Sequence, residues 1–110
     1  MKSLSDQNNF DRILGQTVDE SLNAIGEPAK KIFYFHIENK YAIKPEDISK
    51  NPELFVVALK TLLGAAGTYV ESLILKKVCE KYDIEYETLK TLSFEKAIKE
   101  IRKIVANRTI

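Results

Sequence analysis

The stretch FYFHIENKY, residues 33–41, places the only histidine of the chain beside Phe33, Tyr34 and Phe35 and two positions before Glu38. An imidazole near a carboxylate can shuttle protons, grip a polar ligand or switch charge near neutral pH. Its neighbours decide which. Ala29, Ile32, Phe33, His36 and Ile37 recur at helical spacing, so His36 falls inside the apolar stripe of a helix over about 28–41. Tyr34 and Phe35 fall to either side, making that helix apolar around much of its circumference. Such a helix is central to a fold or covered by a second subunit. A buried neutral imidazole needs hydrogen-bond partners, so His36 is expected to meet a Tyr or Glu from another helix. Contact with a ligand is the alternative.

Other reactive types are sparse. Zinc needs three or four converging ligands, commonly two at i, i+4 on one helix; the residues four away from His36 are Ile32 and Lys40. Cys79 shares a helical side with Leu75, Val78 and Tyr82 and reads as a small buried hydrophobe. No catalytic constellation, metal site or cofactor motif emerges. GAAGT, 64–68, lacks the lysine and the length of a phosphate loop. It reads as a helix stop whose small residues let two backbones approach closely. Glu71 is an odd charge on an apolar side, between Ile74, Leu75 and Val78, and a first-turn cap explains it most simply.

These positions need elements to hold them, and the apolar spacing is helical nearly everywhere. Phe10, Ile13 and Leu14 form a short stripe that stops at Gly15. Thr17 with Glu20 has capping-box spacing and predicts a new helix, ended by Gly26. Pro28 suits the first turn of the next helix. The connector AIKPEDISKN allows one turn after Pro45. Asn51–Pro52 then predicts a capped helix through Phe55, Val56, Leu59, Leu62 and Leu63. Thr68 with Glu71 repeats the box before a helix to about Tyr82. Behind Ser93, a plausible cap, Phe94, Ala97, Ile98, Ile101 and Val105 form an amphipathic face. The expected fold is all-α: one domain over 1–110, a bundle of five to six helices associating as a dimer. It divides into a short N-terminal helix and lead-in (1–16), a helical core (17–82) and a C-terminal amphipathic helix (93–107).

The chain has 110 residues, 17 basic against 16 acidic, and one cysteine. That length supports a hydrophobic core without staples. Near-zero net charge gives no global field for nucleic acid or anionic membrane. Charge is nonetheless uneven, with Asp6, Asp11, Asp19, Glu20 and Glu27 early and Lys96, Lys99, Arg102 and Lys103 late. The late cluster is a candidate basic patch, although a solvated outer face is the simpler reading. The pair of helices around GAAGT invites a helix-turn-helix comparison, but the second is too apolar to lie in a DNA groove. With no apolar leader and one cysteine, a cytoplasmic protein is expected.

Two segments together resemble a known family: VDESLNAIGEPAKKIFYFHIEN and AIKPEDISKNPELFVVALKTLLGAAGTYVESLILKKV. Tyr34, His36, Ile37 and Glu38, then Gly64, Gly67, Val70, Glu71, Leu73 and Ile74, resemble the pattern of the small archaeal Nitrosopumilus output domain family, fifth type, over roughly residues 18–80. The resemblance implies an output role in signal transduction and carries no enzymatic activity. It also draws His36 and Glu71 together as polar positions on apolar faces that could meet in the fold or across a dimer. The leading expectation is therefore a non-enzymatic, homodimeric interaction or regulatory domain, whose partner beyond its own copy would be another signalling protein. A small-ligand sensor using Tyr34, His36, Glu38, Tyr69 and Glu71 is the alternative, and nucleic-acid binding through the basic patch is a second.

Overall fold

The computed structural model describes residues 4–108, with side chains from Asn9 to Arg108. Among these residues the chain forms helices and no strand: α1 (Leu4–Leu22), α2 (Glu27–Tyr41), α3 (Pro52–Leu63), α4 (Ala65–Lys81) and α5 (Phe94–Arg108). Short 3-10 segments at Asn23–Ile25, Pro45–Lys50 and Tyr86–Thr88 fill the connections. This is the all-α bundle that the spacing predicts. Asp6, part of the early acidic group, has its side chain outside the described residues.

Three phenylalanines tie the bundle together. The Phe55 ring of α3 stands edge-on to Phe33 of α2, with centroids 6.0 Å apart, and 5.9 Å from Phe94 of α5. Around them pack Phe10, Leu14, Val18 and Leu22 from α1 and Val70, Ile74, Leu75 and Val78 from α4. On α5 the predicted face packs inward: Phe94, Ala97, Ile98 and Ile101 are buried, and Val105 is half-buried against them. Ser93 caps that helix, its hydroxyl accepting the Lys96 N–H at 3.2 Å.

The predicted helix start at Thr17 is not observed. α1 runs unbroken through Gly15, and Thr17, fully buried, donates its hydroxyl to the Ile13 carbonyl at 2.7 Å. The same oxygen accepts from Lys81 Nζ of α4 at 2.8 Å, so it serves a helix–helix contact and no cap. Gly15 costs the helix about 1 kcal/mol relative to alanine. Its bare Cα faces the connector, where an added Cβ would lie 3.4 Å from the Pro45 carbonyl oxygen. Two further caps are corrected. Asn51 makes no side-chain cap, although Pro52 does open α3. Thr68 lies inside α4, which begins at Ala65.

α1 is also tied to the opposite end of the chain. The half-buried Asp11 carboxylate accepts from Arg102 of α5 at 2.6 Å and from the Ser49 hydroxyl. Arg102 lies over the Phe10 ring, 4.8 Å from its centroid. Asp11→Ala would strand both donors, and a loss of about 1–3 kcal/mol is expected in urea unfolding. Asp11→Asn should recover part of it by keeping an acceptor.

Candidate functional site

α2 carries the chemistry the sequence singles out, so its orientation decides what that chemistry can do. Its inner face is Phe33 and Ile37, both buried, with Tyr34 and Tyr41 half-buried against the core. The outer face presents Pro28, Ile32, Phe35 and Asn39. Ile32 is 59% exposed and Phe35 63%. The expected stripe of Ala29, Ile32, Phe33, His36 and Ile37 is therefore split. Two of its members enter the core, and Ile32 faces out.

His36 sits at the border of these faces, half-exposed. Its ring meets Phe35 edge-on, with centroids 5.4 Å apart. Among the described residues it takes part in no side-chain hydrogen bond, contrary to the expectation of a Tyr or Glu partner. An imidazole at the surface keeps water as its partner, so burial never demands one. Glu71 is partnered elsewhere: its carboxylate pairs with Lys60 of α3 at 3.4 Å. That ion pair across the α3–α4 junction accounts for an acid on a largely apolar side. The two residues therefore share neither a hydrogen bond nor an ion pair. Tyr69 is 56% exposed on α4, and Glu38 is exposed on α2.

Tyr34 has the best-defined surroundings. Its hydroxyl donates to Asp19 Oδ1 of α1 at 3.1 Å, while Lys30 Nζ reaches Asp19 Oδ2 at 3.3 Å. The sequence marks Asp19 only as one of several early acids, because the pairing exists only once α1 and α2 dock. A cleft of about 700 Å³ opens beside it, bordered by Tyr34, Arg12, Gln16, Glu20 and Glu46 and not by His36 or Glu71. Burial, then the Asp19 charge, pushes the Tyr34 phenol well above its ordinary value. The folded state thus holds this proton more tightly than the unfolded chain. Its contribution is complete below the unfolded pKa near 10 and is lost as pH rises beyond it. Tyr34→Phe should therefore flatten the alkaline limb of a stability–pH profile. Tyr82, raised by burial and partly offset by Arg12 and Arg102, would retain a smaller one.

The remaining candidates disperse. Lys99 pairs with Glu95 at 2.9 Å and Arg102 with Asp11, leaving Lys96 and Lys103 exposed without an ion pair among the described residues. Cys79 is buried, and burial pushes its thiol upward, away from the reactive thiolate. Among the described residues no group of three His, Cys, Asp or Glu could hold a metal ion, and no helix is long and apolar enough to cross a membrane. Large apolar side chains stand exposed at Leu54 and Val57 of α3 and at Tyr69 of α4, and most fully at Ile32 and Phe35 on the outer face of α2. No family model, curated protein or solved structure matches the chain.

Proposed function

We propose that this chain is a non-enzymatic helical interaction domain of regulatory type, working through the outer face of α2. One observation carries the reading: Ile32 and Phe35 stand more than half exposed on a helix whose opposite face is fully engaged. Large apolar side chains grouped on one exposed face mark association surfaces. Core packing does not require them there, since Phe33 and Ile37 already anchor α2. The resemblance to a signal-output family supports the same role.

A photoreactive benzophenone residue placed at position 35, compared with one at the exposed Glu80 of α4, tests the reading. Position 35 should yield protein adducts with purified chain or in extract of the source cells, and position 80 should not. Equal yields at the two positions, or none at 35, would overturn it.

A further inference from the structure

Resting on that reading, we infer that the occupant of the α2 face is α2 of a second copy, paired antiparallel about a twofold axis beside Phe35. The charges flanking the apolar strip support this. Lys31 and Glu38 are both exposed, and among the described residues neither takes part in an ion pair or a side-chain hydrogen bond. Seven residues apart, they lie on one flank of the helix, roughly 10 Å from each other along its axis. That distance is too great for them to neutralise each other. Glu27, the acid one turn before Lys31, is engaged by Lys30 at 3.5 Å.

A twofold axis crossing two antiparallel helices keeps each flank facing the same flank of its mate and reverses the order of residues along it. With the axis beside Phe35, Lys31 of each copy comes level with Glu38 of the other, giving two symmetric ion pairs. The same operation stacks the Phe35 rings near the axis. It also seats each Ile32 between Phe35 and Asn39 of the opposite copy. A self-matching contact of this kind is what a closed twofold dimer requires, because one surface must complement itself. α2 packs against α1 and α3 through the side bearing Phe33 and Ile37, which leaves Ile32 and Phe35 exposed on the other.

Sedimentation equilibrium over a concentration series, with purified full-length chain, tests the pairing. Wild-type chain should show reversible dimerisation, and Phe35→Ser should remain monomeric with an unchanged circular dichroism spectrum. Lys31→Glu or Glu38→Lys alone sets like charges together twice per dimer and should weaken association roughly tenfold. The double reversal Lys31→Glu/Glu38→Lys should restore it. Monomer at every concentration, or a dimer unaffected by Phe35→Ser, overturns the proposal. Failure of the double reversal to rescue overturns the antiparallel register. Adducts from position 35 to a different protein, with none of twice the chain mass, overturn self-pairing and leave the interaction reading standing.

Discussion

Gly67→Ala is expected to destabilise the protein by at least about 3 kcal/mol, although alanine is the better helix former by about 1 kcal/mol. The sign depends on what the added methyl meets. Gly67 is buried in the first turn of α4, directly against the end of α3. A Cβ there would overlap the Leu59 carbonyl oxygen and lie 2.7 Å from its carbon. Those atoms belong to a hydrogen-bonded helix and cannot rotate aside, so α3 and α4 must separate. Separation loosens Leu59 and Val70, both fully buried, in an interior that tolerates few voids. Against a total stability of about 5–15 kcal/mol for such a domain, the loss is severe. Thermal unfolding should show a midpoint lower by more than about 10 °C. A neutral or stabilising alanine would mean that the two backbones do not approach this closely.

Phe55→Ala is expected to cost about 3–5 kcal/mol, the range for removing a fully buried phenylalanine. The site has little room to collapse, because the ring is held from two directions by Phe33 and Phe94. Truncation leaves two aromatic faces without partners and opens a cavity where α2, α3 and α5 meet. Denaturant midpoint should fall with little change in slope. Phe55→Leu should recover more than half of the loss. The outer face of α2 provides the contrast. Phe35→Ser removes a ring of similar size, but one that is 63% exposed, and it should change monomer stability by less than about 1 kcal/mol.

The difference between Phe55 and Phe35 also marks how far the sequence can be read. On α5 one helical face is clearly apolar, and periodicity alone identifies Phe94, Ala97, Ile98 and Ile101 as core. On α2 it cannot. Ile32, Phe33, Phe35 and Ile37 point in several directions, so apolar spacing does not single out one inner face. Docking against α1 and α3 selects the face with Phe33 and Ile37 and turns Ile32 and Phe35 outward. His36 goes to the border with them, and this removes the expected need for a buried partner.

Capping signals were similarly ambiguous. Ser93 caps α5 as its spacing predicts, whereas Thr17 has the same chemistry and spends it on Lys81, sixty-four residues away. A hydroxyl near a helical run fits either role until its long-range neighbour is known. Glu71 is a parallel case, satisfied by Lys60 across a junction. Gly15 is another, kept within α1 by the approach of Pro45.

The sequence by itself determined the all-α architecture, the breaks at Gly26 and Gly64 and the buried face of α5. Those follow from backbone preferences and from apolar spacing within a single element. The tertiary structure alone decided which face of α2 is free, that Asp19 and Tyr34 meet, and that His36 and Glu71 have separate neighbours. Each of these depends on how two helices rotate against one another, and a periodic pattern constrains that rotation only where one face is polar.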